Sequence, residues 1–527
     1  MTAIAGETPA ASQAAVLDGA ARRAGRGILS MSGSKLYFVV AGYAVQLLMP
    51  RLLGSPEAFG FFSTAMSLVS ILNNVLISAT IQVVSKRISE DSTRGPQTLR
   101  QALVVQLVIG LGFASLLFVG AEPLASRVML DPLLTPLFRW SALVVISYAL
   151  YAALIGALNG SQNFLGQAKF DVTYTTLRSG GMLGAAALGL GAVGAFGGFA
   201  LAAVLVLVAA LVVVGIGKPV AAETDGSQER PWKKWAAIMA PLWLYQLCLN
   251  IVLQIDTSLM KRTVAELTIA TGVSPAAAAE LASRYVGFYR AAQTFAFVPY
   301  QLILSVAFVI FPMVSEATAL GREDHARSYI QGALRFSLLV LLAIAAPIAG
   351  ASESVLRLVY PSSYLAGGSA LAMLSLGMVC FALFVIGATI MSGAGKPGVS
   401  ALIASAAVVV VLTSNVLLVR MAGVGDRTLL AAATGTTLGT VFALVAIGIA
   451  VYARFKTFIP PLTAARSLLA AAAGFAIART LVGNSKLSAL LALAAGGVAY
   501  LLVLIATREL GRPELQAVDR VVRRRRA

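Results

Sequence analysis

Three basic residues sit inside apolar runs. Lys35 lies about two turns into a run that begins near Gly27, and Arg178 about two turns into one that begins near Val172. Arg290 lies about one turn into a third, from Val286. If such runs cross a bilayer, a charge at that depth must face a water-filled cavity or a partner, or snorkel to the interface. Arg51, at the far edge of the first run, suits either an anion or an interface anchor. Asp256, near the end of an otherwise uncharged run, suits a coupling cation or proton, a bond to Arg290, or a pair with Lys261 or Arg262. Asn73, Asn74, Gln246, Asn250 and Gln301 add uncharged polarity at depth, fit for ligand hydroxyls or for bonds between helices. The pattern is one of binding: cations for an anionic group and amides for hydroxyls.

Catalytic chemistry has little material. His325 is the only histidine, so a histidine metal site or a Ser-His-Asp arrangement is not expected. Cys248 and Cys380 both fall in apolar runs, without metal-type spacing. Gly393-Ala394-Gly395-Lys396 lacks the Ser/Thr of a phosphate loop, because Pro397 follows. No catalytic residue, metal or cofactor is expected.

The elements that carry these residues follow from composition. Hydrophobic residues make up 58% of the 527, charged residues 12%, and mean hydropathy is +0.86. That leaves too little polar surface for a water-soluble core, whereas helices that satisfy their own backbone suit lipid. Apolar runs of ~20 residues predict about fourteen membrane-spanning helices. They cover residues 27–50, 59–84, 101–120, 140–158, 172–192, 194–216, 235–255, 286–314, 334–350, 366–391, 399–419, 429–452, 462–478 and 487–505. No cleavable signal peptide is evident before the first. With the N-terminus in the cytoplasm, the inner segments hold 24 of the 40 Lys and Arg and the outer ones 11. That excess predicts both termini inside. It also accounts for the net charge of +18 without nucleic acid. The tail Arg523–Arg526 reads as a topology anchor on anionic lipid.

The chain also repeats itself at a shift of 227 residues. Phe59-Gly60-Phe61-Phe62 faces Val286-Gly287-Phe288-Tyr289, Asn74 meets Gln301, and Ser78 meets Ser305. Each copy follows an odd-numbered span and runs inward, so the repeat is parallel. A parallel repeat implies a pseudo-two-fold axis along the membrane normal and a path between the halves. The glycine-rich run from Gly180 to Gly198 reads as close helix packing around a tight turn.

Four stretches resemble the oligosaccharide-lipid flippases (polysaccharide transporters) of the multidrug/oligosaccharidyl-lipid/polysaccharide exporter superfamily. They are Arg51-Leu52-Leu53-Gly54 leading to Gly60-Phe61-Phe62, Gln254-Ile255-Asp256 with Tyr285–Ala292, Phe311-Pro312-Met313-Val314-Ser315, and Ser392–Pro397. The resemblance spans about residues 27–460. It implies an all-α polytopic protein with two six-helix lobes, residues 27–216 and 235–452. Around them lie a cytoplasmic tail (1–26), a linker (217–234), a two-helix appendage (453–506) and a basic tail (507–527).

The implied activity is movement of a polyprenyl-diphosphate-linked glycan across the bacterial inner membrane by alternating access, for surface polysaccharide synthesis. The implied partners are that glycan lipid, membrane lipids and other polysaccharide-assembly proteins, with no nucleic acid. Lys35, Arg51, Asn74, Arg178, Asn250, Arg290 and Gln301 are then the expected substrate-binding residues, and Asp256 the coupling-ion residue. A lipid II flippase is the alternative, since the appended spans suit it, and a drug/cation antiporter a weaker one. A glycan polymerase or glycosyltransferase would need an acidic or histidine cluster, or a large outer loop. The longest outer loop, Ser258–Tyr285, is modest, and its Ala-rich stretch reads as a short helix.

Overall fold

The computed structural model describes residues 9–217 and 231–510. The ends of both predicted tails and most of the predicted linker, including Arg523–Arg526, lie outside the described residues. Among the described residues the chain is all α, with no strand.

The first half contains α1 (Pro9–Leu52), α2 (Pro56–Glu90), α3 (Gly95–Val119), the short α4 (Ala121–Pro123), α5 (Thr135–Gly160), α6 (Phe164–Ala187) and α7 (Gly191–Val214). The second contains α8 (Pro231–Ala270), α9 (Pro275–Ala296), α10 (Val298–Ala319), α11 (Glu323–Gly350), the short α12 (Ser352–Val359), α13 (Gly368–Gly393), α14 (Pro397–Ala422) and α15 (Thr428–Phe455). The appended pair is α16 (Pro461–Thr480) and α17 (Lys486–Ala506). The order repeats as the 227-residue shift requires. α1 corresponds to α8, α2 to α9 with α10, α3 to α11, α5 to α13, α6 to α14 and α7 to α15.

Among the described residues eleven helices are long and apolar enough to cross a membrane. The other three predicted spans coincide with α1, α6 and α8, which are long but carry Lys35, Asp171, Arg178, Asp256 and Lys261. Of these, α6 is set apart by its polarity, with Lys169, Asp171 and Arg178 within 24 residues. Two boundaries need correction. The predicted eighth span is two helices, interrupted at Phe297 just before Pro299, whose missing N–H and ring break the ladder. The predicted outer loop 258–285 is mostly helix, because α8 runs on to Ala270 and α9 starts at Pro275 behind the Ser274 cap. The Ala-rich stretch is the first turn of α9.

Contacts group the residues into two compact units. One holds the described residues up to Leu48, Leu72–Ala121 and from Pro136 into α8; the other holds Met49–Ile71, Glu122–Thr135 and the chain from Pro241.

In the first unit α5 is the central helix. Its apolar stretch is 83% buried, against 28% for α3. Glycines let neighbours close on it: Gly156 lies against Val84 and Gly160 against the Ser85 backbone. Gly181 and Gly198 bring α6 and α7 together backbone to backbone, around a turn that passes through Gly189 and Gly191 at positive φ.

In the second unit α13 is central, also 83% buried. It packs on α15 through Gly377 against Thr437 and Gly387 against Ile447. The appended pair closes on itself at Gly474 and Gly496, and on α11 where Gly350 meets the Phe475 carbonyl.

Candidate functional site

In the first unit the site is a ladder between α1 and α6. Asp171, Tyr174, Thr175 and Arg178 recur at i, i+3, i+4 and i+7, so they share one face of α6. Ser34, Lys35 and Phe38 meet them from α1. Lys35 Nζ donates to Asp171 Oδ2 at 2.8 Å, with the Lys35 side chain 58% exposed and the Asp171 side chain 12%. Tyr37 and Thr176 share a hydroxyl hydrogen bond at 3.0 Å. One step along, the Phe38 and Tyr174 rings stack at 6.2 Å and 21°. One step further, the Arg178 guanidinium lies between two rings, 6.0 Å from Phe38 and 5.3 Å from Phe199. The contacts ascend together in both helices, so α1 and α6 run parallel where they meet. Asn73 is buried on α2 and Asn74 exposed beside it.

In the second unit the site is a hydrogen-bonded carboxylate. Asp256 is fully buried. Tyr289 Oη donates to its Oδ2 at 2.8 Å, Thr436 Oγ1 at 3.1 Å, and Gln293 Nε2 reaches both oxygens at 3.0 and 3.1 Å. The other face of that amide holds Arg290, whose Nη1 donates to Gln293 Oε1 at 3.1 Å. Gln293 therefore relays between anion and cation.

The pairing of Asp256 with Lys261 or Arg262 is not what forms. Lys261 bonds Asp131, and Arg262 bonds Glu266 one turn on, because both lie further along the same continuous helix. For the same reason α8 is not otherwise uncharged. Asn415 donates through Nδ2 to Thr436 Oγ1 and to the Ala432 carbonyl, both at 3.0 Å, and its buried Oδ1 accepts no hydrogen bond. Asn250 Nδ2 donates to its own helix at the Gln246 carbonyl, 2.8 Å. Gln301 is half-buried on α10, past the break at Phe297. Arg51 donates to the Val359 carbonyl at the end of α12, a contact that suits an anchor.

The segments Met49–Ile71 and Glu122–Thr135 belong to the second unit through contacts the sequence did not disclose. Lys261 is completely buried and its ammonium donates to Asp131 Oδ2 (2.7 Å), the Ala279 carbonyl (2.7 Å) and Ser283 Oγ. Glu57 and Arg284 form an ion pair. Burial works against the ionised Glu57. Its own backbone amide, Arg284 and Ser55 outweigh that and hold the carboxyl below the usual glutamate range.

Between these pairs the backbones of α2 and α9 touch. A Cβ on Gly60 would lie 1.7 Å from the Ser283 carbonyl oxygen, and one on Gly287 2.1 Å from that of Pro56. Pro56 and Ser283, Glu57 and Arg284, and Gly60 and Gly287 are each separated by 227 residues. The contact is therefore reciprocal, residue 56 on 287 and 60 on 283, as around a local two-fold axis. The shift itself was the signal that could have found it.

Asp171, Lys261, Asp131, Gln293 and Tyr289 were missed as site residues. Asp171 falls just before the predicted fifth span, whose true start is Phe164. Asp131 and Lys261 read as outer-loop charges. Gln293 and Tyr289 follow from Asp256 at hydrogen-bond reach, which sequence alone does not provide.

A family model described as "Polysaccharide biosynthesis protein" matches residues 24–318, more than half of the chain. Curated protein sequences provide no significant match. Among solved structures, a lipid II flippase MurJ in an inward closed conformation is similar, with TM-score 0.71 and 15% identity over 92% of this chain and 99% of that one. An inward-facing multidrug resistance MATE family transporter of the MOP superfamily is similar too, with TM-score 0.60 and 18% identity over 80% of this chain and 96% of that one. A MATE transporter of Vibrio cholerae follows at TM-score 0.54 and 14% identity, over 83% of this chain and 98% of the other. At these identities the likeness establishes the fold alone.

Proposed function

We propose, from the premise that this chain belongs to the polysaccharide biosynthesis protein family, that it is a flippase for polyprenyl-diphosphate-linked oligosaccharide in the bacterial cytoplasmic membrane. The observation that carries this reading is a pair of arginines, one in each unit, that keep their charge available. Arg178 rests on aromatic rings and Arg290 on an amide, and among the described residues neither is bonded directly to a carboxylate. In a chain this apolar, a cation that lacks a direct carboxylate partner is best stabilised where water or an anionic ligand reaches it. A diphosphate headgroup is such a ligand, and arginine meets phosphate oxygens through a fork of donors. The prenyl tail needs no such path and stays in lipid.

The mechanism we favour is alternating access. Two six-helix lobes, residues 27–216 and 235–452, carry Lys35, Asn74 and Arg178 on one side and Asn250, Arg290 and Gln301 on the other. The apolar runs give about fourteen spans, and the charge count puts both termini in the cytoplasm. Asp256 is the coupling-ion residue. Its donors, Tyr289, Thr436, Gln293 and the Thr257 amide at 2.8 Å, stabilise the carboxylate, and Asn415, whose Oδ1 accepts no hydrogen bond, donates through Nδ2 to the Thr436 partner. Binding a cation there would release Gln293 and, through it, Arg290. Asp256 so links ion occupancy to the availability of the substrate cation.

A lipid II flippase is the second reading. It is favoured by the extent of the MurJ likeness, which takes in 92% of this chain where the MATE structures take in about four fifths. Both substrates present sugar on a prenyl diphosphate, so the same residues serve either.

The test is complementation of surface glycan in a strain that lacks the transporter, with the protein quantified in membranes. Arg290→Ala is expected to lose transport at normal abundance. Arg290→Lys retains part of it, since charge survives without the fork. Full complementation by both Arg290→Ala and Lys35→Ala would refute the cationic path.

A further inference from the structure

The ladder between α1 and α6 does more than hold a cation. Lys35 is 58% exposed although Asp171 neutralises it, and the bonded Tyr37 and Thr176 are exposed beside it. An ion pair and two hydroxyls exposed part-way along an apolar helix are incompatible with lipid, so this face of the first unit meets water. Aromatic rings stand on the same face. Tyr37 and Phe38 are each 38% exposed, and Tyr174, half-buried, stacks on Phe38. Tyr148 and Tyr151 back Tyr174 at 5.2 and 6.0 Å and fix its ring from behind.

A water-facing wall has no structural need for flat apolar rings. They are stable there when a ligand covers them with a surface that is apolar on one face and polar at its edges, as a pyranose is: C–H bonds above and below, hydroxyls around the rim. The rim partners are already in place. Asp171 accepts, Lys35 donates, and Tyr37 and Thr176 do both. Arg178, one step beyond the rings and 6.0 Å from Phe38, takes the phosphate end.

We propose that Tyr37, Phe38 and Tyr174 form a stacking subsite for the sugar ring nearest the diphosphate, with the Lys35–Asp171 pair bonding its hydroxyls and Arg178 the phosphate. This rests on the flippase reading and deepens it. The rings answer to the sugar and Arg178 to the phosphate, so the two parts of the headgroup are read by different side chains.

The experiment separates them. Purified full-length protein in nanodiscs is titrated with two probes, a short-chain polyprenyl-diphosphate-linked tetrasaccharide and the same polyprenyl diphosphate without sugar. Phe38→Leu and Tyr174→Leu keep apolar bulk and remove the ring. They are expected to weaken the sugar-bearing probe about 5- to 10-fold each, on the scale of a lost aromatic contact, and to leave the sugar-free probe within about 2-fold. Tyr174→Phe keeps the ring and should bind as the parent does. Arg178→Gln should weaken both probes alike. If the leucine variants lose both probes equally, or neither, the rings only pack the helices and the subsite is overturned. If the unaltered protein binds neither probe, the flippase reading itself fails and the subsite falls with it.

Discussion

Replacing Lys261 by Met should loosen the segment Glu122–Thr135 from α8 and α9. The ammonium is wholly buried and gives its three protons to Asp131, the Ala279 carbonyl and Ser283. Met fills most of the volume of the stem and none of the charge. Asp131, with its side chain 4% exposed, is then left as a buried anion that retains one backbone donor, Leu133 N at 3.2 Å. Breaking a buried pair from one side costs about 3–5 kcal/mol, which raises the opened fraction of the segment roughly 10²- to 4 × 10³-fold.

A reporter cysteine at Ala125, itself fully buried, measures that opening in a background with Cys248 and Cys380 replaced by Ser. Maleimide labelling should accelerate by that factor in Lys261→Met. It should return most of the way to the parent rate in Lys261→Met with Asp131→Asn, because the second change removes the stranded charge. Asn retains the capping oxygen that Asp131 supplies to the turn at Pro132–Leu134. A labelling rate in the single variant within about 3-fold of the parent would mean that the pair does not hold the segment down, since a 3-fold change is under 1 kcal/mol.

Two further outcomes are expected at the neighbouring contacts. Gly60→Ala places a methyl 1.7 Å from the Ser283 carbonyl oxygen, backbone against backbone, so α2 and α9 must separate; amide hydrogen exchange in α9 around Ser283 should accelerate against the parent, and an unchanged exchange rate would refute the contact. Acid should open the same junction: Glu57 has its carboxyl below the usual range, so its contribution is complete above the pH where a free glutamate ionises and is lost as pH falls through its own lowered value. Amide protection there, corrected for the intrinsic pH dependence of exchange, should therefore fall only on acidification below the usual glutamate range, and Glu57→Gln should remove that fall; an unchanged acid limb in Glu57→Gln would assign it to another group.

Much of the fold was open to reading because its causes are local and repeated. Apolar length places helices without reference to any partner, and the glycines at 60 and 287 mark the same turn twice. The elements misplaced were those whose character comes from elsewhere. α6 begins eight residues before its predicted start because Lys169 and Asp171 read as loop, whereas Asp171 is paired with a lysine 136 residues earlier. α8 was cut short at its charges for the same reason, since Lys261 is neutralised by Asp131 at a separation of 130 residues. Lys35, Arg178, Arg290 and Asp256 each stand in a polar network, while Asn250 bonds its own helix and Arg51 a carbonyl. Hydropathy ranks a residue by type and is blind to its partner, so a charge that completes a pair and a charge that ends a helix look alike.

The ion pair at Glu57 and Arg284 carries a record of how the chain came to be. Its members occupy matching positions in the two halves. Had the halves been separate identical subunits, the same residue would stand at both places, and two acids or two bases would face each other across the axis. Opposite charges there require that the two segments differ in sequence, as they do within this one chain. The attraction also favours heterologous pairing of the halves over a meeting of like with like: two first halves would bring Glu57 to Glu57, and two second halves Arg284 to Arg284. Carrying both charges on one chain makes that asymmetry available, and the asymmetry in turn disfavours exchange of these segments with a neighbouring copy.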